Sequence, residues 1–291
     1  MKKRPLVTVF PLLLIAKTVY SDDNQYLGVT LSNNHETIDI ETIQGRSINT
    51  ELSVKSAGVF YSYTSKNGLI ISANAWNEGA SKSLRSGVEL EKEASGYGFA
   101  VALPVSDFEL EFNYGQSQPE LIAIFASENY VRHEHEVKDY GFRTSYFWFT
   151  GSWAIVPSLQ LGYQESAFRE VSQERAPPIT TDIEESGTFW SASTNVNYFF
   201  AVNDKLSISP FFHVSWSDFF NGEGSTNNSA HGRRVSRNRE ANSEFISEAS
   251  GAVSLGVNLN YSHYSLEISA DEAINQEDID TRFNVSIGVA W

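Results

Sequence analysis

Apolar residues recur at every second position along most of this chain, the period of a strand with one apolar face. The clearest stretch sets Tyr97, Phe99, Val101 and Leu103 against Gly98, Ala100 and Ala102. After Pro104-Val105-Ser106-Asp107 it continues with Phe108, Leu110, Phe112 and Tyr114 against Glu109, Glu111 and Asn113, which predicts a hairpin with one apolar and one polar face. The same alternation marks Tyr140 to Trp148, then Trp153, Ile155, Leu159, Leu161 and Tyr163 with a register change expected around Pro157. It returns in Trp190 to Tyr198, Leu206 to Trp216 and Val253 to Tyr261, and the opposite face reads as small and polar throughout.

Strands are expected near 51–64, 68–78, 95–103, 108–116, 136–149, 153–166, 186–200, 205–218, 246–261, 264–272 and 281–291. A twelfth, needed for an even count, comes from 26–32 or from 37–43, and the other segment would sit in the lumen or lead in from the periplasm. Connections at 65–68, 104–107, 150–152, 202–205 and 262–263 are short, whereas 80–94, 117–134, 167–186 and 219–244 read as long polar loops. A β-sandwich has no reason to keep its long loops at one end. The fold expected is an all-β, antiparallel transmembrane β-barrel of about 12 strands, with short periplasmic turns and long extracellular loops.

Composition and the N-terminus fit that reading. Lys2, Lys3 and Arg4 precede an apolar run from Leu6 to Ala16, so residues 1–21 read as a secretory signal peptide. The run is too short for a spanning helix, and nothing later is long and apolar enough to span as one. Residues 22–50 form an N-terminal lead-in and 51–291 the barrel. With 36 acidic against 21 basic residues the chain carries a formal charge of -15, which disfavours nucleic acid as a partner. The absence of cysteine excludes thiolate metal sites and disulfides.

The last segment, Arg282 to Trp291, alternates without a break and ends on an aromatic. It resembles the C-terminal signal of bacterial outer-membrane proteins, in which Phe283, Val285, Ile287, Val289 and Trp291 would be read by the barrel-assembly machinery. The spacing of the final hairpins, from Leu206-Ser207-Ile208-Ser209 through Ser254-Leu255-Gly256-Val257 to Trp291, resembles the twelve-stranded translocator domain of autotransporters. With only residues 22–50 ahead of the expected strand near Glu51, no passenger is expected. The likeness is therefore to solitary autotransporter-like barrels, a resemblance that implies fold and leaves activity open.

Candidate chemistry is sparse. Glu109, Glu111, Asp139, Arg143, His213, Glu267 and Asp271 are expected to face the lumen, where an acidic-leaning interior suits small cations. Arg233, Arg234, Arg237 and Arg239 form the one basic cluster, matched to lipopolysaccharide phosphates in the outer leaflet. His133-Glu134-His135-Glu136 puts two histidines on one strand face but supplies no convergent third ligand, so it reads as a wet barrel rim rather than a metal site. His213 with Asp218 is the pair an omptin-like hydrolase would need, without a recognisable motif around it. The aromatic belts are expected to include Tyr97, Tyr114, Trp148, Trp153, Tyr163, Trp190, Tyr198, Trp216, Tyr261 and Trp291. Taken together, the sequence points to a non-enzymatic barrel without a cofactor. It would be a small passive pore or transport-related barrel, or alternatively a surface scaffold working through its loops, with a barrel hydrolase third.

Overall fold

The computed structural model describes residues 24–41, 47–125, 129–173, 178–230, 233–237, 249–274 and 281–291; the expected signal at 1–21 lies outside the described residues. Twelve long strands run through them: β1 (Asn24–Glu41), β2 (Ser47–Thr64), β3 (Ile70–Ser83), β4 (Glu89–Val105), β5 (Phe108–Ile124), β6 (Tyr130–Tyr146), β7 (Trp153–Ser172), β8 (Ile179–Tyr198), β9 (Leu206–Ala230), β10 (Ser250–Tyr261), β11 (Tyr264–Ile274) and β12 (Thr281–Ala290). Each pairs antiparallel with the next, and β12 returns to β1 with Tyr26 opposite Ala290 and Asn34 opposite Arg282. Gln25 and Trp291 exchange backbone hydrogen bonds of 2.9 and 3.0 Å at the seam. The result is a closed twelve-stranded barrel, which leaves no edge in the lipid, where an unpaired backbone group has no water to bond.

The outer face carries the apolar half of the alternation. Leu31, Phe99, Phe112, Phe142, Leu161, Leu255 and Ile287 stand exposed around the wall. Aromatic rings border this band on both sides. Trp148, Trp153, Tyr198, Tyr261, Tyr264 and Trp291 lie near the turn end, and Tyr97, Tyr114, Tyr140, Tyr163, Trp190 and Trp216 near the loop end. Tyr163 lies ten residue steps beyond Trp153 along β7. At ~3.3 Å per residue and a tilt of ~40° that is about 25 Å of height, the thickness of the apolar band of such barrels.

Several expectations need correction. β1 is one strand containing both 26–32 and most of 37–43, so neither segment fills the lumen. The expected long loops are mostly wall: β4 starts at Glu89, β5 runs to Ile124, β7 to Ser172 and β9 to Ala230. Beyond the upper aromatic row the outer face turns from lipid to water, so its residues become Glu, Ser and Arg while the backbone ladder continues. Apolar positions then change phase. In β4 they move from the odd Tyr97, Phe99 and Leu103 to the even Leu90 and Ala94, which point inward. In β2 they move from Val59 and Tyr61 to Leu52 and Val54. Pro157 brings no register change, since Ser145 opposite Ser158 and Trp148 opposite Ile155 keep one register. The real irregularity is a bulge in β9 between Phe219 and Asn221, which leaves Phe220 65% exposed. Among the described residues, β10, β11 and β12 reach only to near the upper aromatic row, whereas β1, β2 and β4 to β9 continue beyond it.

Candidate functional site

A twelve-stranded barrel lies between eight-stranded ones, which side chains fill, and sixteen-stranded ones, which keep an aqueous channel. Its inward residues therefore decide what the lumen does. Glycines leave notches into which inward rings fold flat: a Cβ on Gly28 would fall 2.2 Å from the Phe60 ring, and one on Gly256 2.4 Å from Phe211. The rings thus lie along the wall instead of across the bore.

At membrane height most inward residues are polar, and the charged ones are of intermediate exposure. Glu109 and Glu111 on β5, Asp139 and Arg143 on β6, His213 on β9, and Glu267 and Asp271 on β11 all occupy inward positions. Arg143 pairs with Glu111, whose carboxylate also accepts from Asn113 at 3.0 Å. Asn284 donates to Asp271 at 2.6 Å, and Gln160 reaches Asn113 at 3.3 Å.

Past the upper aromatic row the interior changes character. Leu52, Val54, Leu90, Ala123 and Val131 point inward and are 0 to 2% exposed. Leu90, Ala123, Val131 and Val88 form one cluster, against which Ile38, Ile48, Leu84, Leu121 and Phe125 pack. An inward residue of a water-filled mouth would remain in contact with solvent, so the interior beside β1, β2 and β4 to β6 is filled at this height. The small and polar inner face read from the sequence holds at membrane height apart from inward residues such as Phe60, Val156 and Phe211, and fails here.

Beneath this cluster lies a buried charged group. Lys92 on β4 ion-pairs with Glu36 on β1, and its Nζ sits 3.0 Å from Glu78 on β3. Asn34 donates to the Glu36 carboxylate at 3.0 Å. None of the four is more than 9% exposed. Sequence reasoning missed them, because Glu36, Glu78 and Lys92 sit among other charged residues that do face water.

The histidines also depart from expectation. His133 and His135 face the interior instead of a wet rim. His133 is 8% exposed and 3.4 Å from Glu170, His135 Nε2 lies 2.6 Å from Ser166 Oγ, and both rings meet Phe168 edge-on. No set of three metal-type ligands converges among the described residues. His213 faces the lumen, whereas Asp218, an odd number of residues away, pairs with Trp190 on the outer face and accepts from its neighbour's Phe219 N–H at 2.8 Å. The two cannot act as a catalytic pair.

Outside, the tall wall carries surface ion pairs. Arg132 lies 2.6 Å from Glu120 and 3.0 Å from Glu134, and Arg169 lies 2.8 Å from Asp182. Hydrogen bonds to Glu120 and Asp182 raise both guanidinium pKa values further above their ordinary range, so these pairs stay charged. Being exposed, they fix local geometry more than they stabilise. Arg233, Arg234 and Arg237 lie on a short strand, Arg233–Arg237, paired with Thr226 to Ala230, while Arg239 lies outside the described residues.

No protein-family profile and no curated protein sequence matches this chain. Among solved structures, the translocator domain of the autotransporter NalP from Neisseria meningitidis is similar with a TM-score of 0.60 at 10% identity, covering 92% of this chain and 88% of that one. The beta domain of the Bordetella autotransporter BrkA gives 0.53 at 10% identity, covering 92% and 99%. The outer membrane protease OmpT from Escherichia coli gives 0.45 at 11% identity, covering 94% and 97%. At these identities the likeness is one of fold. This chain has the closed twelve-stranded barrel fold of the autotransporter translocator domains. Fold alone leaves its activity open.

Proposed function

We propose that this protein is an outer-membrane barrel closed at rest, a non-catalytic scaffold that holds a tall β-wall outside the cell. The full burial of Leu52, Leu90, Ala123 and Val131 on the inner face beyond the lipid band carries this reading. A passive pore would be favoured by the charged lumen below, but an ion leaving that lumen outward meets side chains in contact with one another instead of water. Catalysis finds little support: Ser166, bonded to the half-buried His135, is itself 6% exposed and serves that histidine better than a substrate. On this reading residues 1–21 are the export signal, outer-leaflet lipid and lipopolysaccharide surround the barrel, and Arg233, Arg234, Arg237 and Arg239 meet the phosphates.

Planar-bilayer conductance of the refolded mature protein tests the closed state. No steady current is expected, and steady conductance at low voltage would overturn it. Assembly makes a separate prediction. Trp291 is 54% exposed in the lower aromatic row, and its backbone bonds the first strand across the seam. Trp291→Asp is expected to lower outer-membrane levels severely, read by fractionation and by the heat-dependent gel shift of folded barrels. Normal levels would remove the proposed role of Phe283, Val285, Ile287, Val289 and Trp291 as the assembly signal.

A further inference from the structure

We propose that the closed barrel is a gated path for small cations, with the Lys92 ammonium as a tethered cation that bolts it. The inference rests on the closed-at-rest reading and goes beyond it.

Below the bolt, the pairing of Glu111 with Arg143 cancels two charges. The inward carboxylates of Glu109, Asp139, Glu267 and Asp271 then outnumber Arg282, so the lumen favours cations over anions. At the top of this lumen, just beyond the upper aromatic row, Lys92 lies between Glu36 and Glu78. That is where a cation moving outward along the wall from β1 to β4 would find its last anionic oxygens. Asn34 adds an acceptor. Its amide nitrogen is engaged with Glu36, whereas its Oδ1 is buried without a hydrogen-bond partner among the described residues. The site therefore holds two carboxylates around a single ammonium, with the unpartnered Asn34 carbonyl on the residue that binds one of them. Hard oxygen donors of this kind take small cations. A side-chain ammonium in their midst fills the site and supports the packed Leu90 above it.

Removing the ammonium while keeping most of its volume leaves two buried carboxylates uncompensated, a state that recruits water and mobile cations. In planar bilayers, folded Lys92→Met is expected to carry a cation-selective current at least tenfold above the wild-type baseline. Lys92→Arg is expected to stay silent. The charge-neutral combination Lys92→Met with Glu36→Gln and Glu78→Gln is expected to stay silent as well, because it lacks both bolt and site. Lys92→Gln replaces the methionine variant if that one fails to refold, with the same current expected. Potassium chloride gradients supply the selectivity readout. A folded, inserted Lys92 variant as silent as wild type overturns the proposal, as does equal current in the charge-neutral variant, which would indicate a packing defect. Steady current in the wild type would instead strike the closed-at-rest reading.

Discussion

Leu255→Arg is expected to destabilise the folded barrel by about 2–4 kcal/mol, the depth-dependent penalty for a cation facing mid-bilayer lipid. Leu255 sits on the outer face of β10, 58% exposed, opposite Phe212 on β9 and Ala270 on β11. It lies midway between the aromatic rows, too far from either interface for an arginine to reach water comfortably. Val101→Arg, also outward on β4, should behave alike. Denaturant unfolding in lipid vesicles, followed by tryptophan fluorescence, reads the loss as a lowered midpoint with an unchanged slope. Unchanged midpoints at both positions would mean that this face meets water or protein instead of lipid.

A leucine in the opposite setting gives the second large effect. Leu90 is 0% exposed, on the inner face of the wall where that wall has left the membrane. Its neighbours Glu89 and Glu91 face outward into water. Leu90→Ala removes methyl groups from a cluster with Val88, Ala123 and Val131, and is expected to cost about 2–5 kcal/mol. The same unfolding measurement applies. A cost under about 0.5 kcal/mol is what an ordinary surface site gives, and it would place Leu90 in a solvated mouth. A leucine exposed to lipid and a leucine buried outside the membrane thus mark the two halves of this structure.

The half inside the membrane was legible in the sequence. Runs such as Tyr97 to Leu103 and Leu206 to Trp216 state both the strand and its lipid face, because one side chain in two must be apolar there. The inward placement of Glu109, Asp139, His213 and Glu267 follows from the same alternation. The half outside was not legible, since polar residues on a water-facing wall look like those of a loop. Glu89-Leu90-Glu91-Lys92-Glu93 reads as a solvated segment with one stray leucine. The signal it carries is a change of phase: Leu90 and Ala94 fall on even positions, while Tyr97 and Phe99 fall on odd ones. β2 repeats the change between Val54 and Ala57, and β7 between Tyr163 and Phe168. That inversion marks the height at which the buried side of a strand moves from the lipid face to the interior. Its reading requires the assumption that strands outlast the membrane. The Glu36, Glu78 and Lys92 group was beyond such reading, because it joins β1 to β4 across two intervening strands, and no local pattern encodes that meeting.

The central claim, a wet polar lumen in the membrane beneath a water-excluding interior above it, is tested most directly by single cysteines in this cysteine-free chain. Glu89→Cys and Leu90→Cys place thiols on adjacent residues at one height, one outward and one inward. With a membrane-impermeant thiol reagent on intact cells, the account predicts rapid labelling at position 89 and protection at position 90 until the protein is denatured. Labelling of both at similar rates would show an open, water-filled mouth and contradict the account.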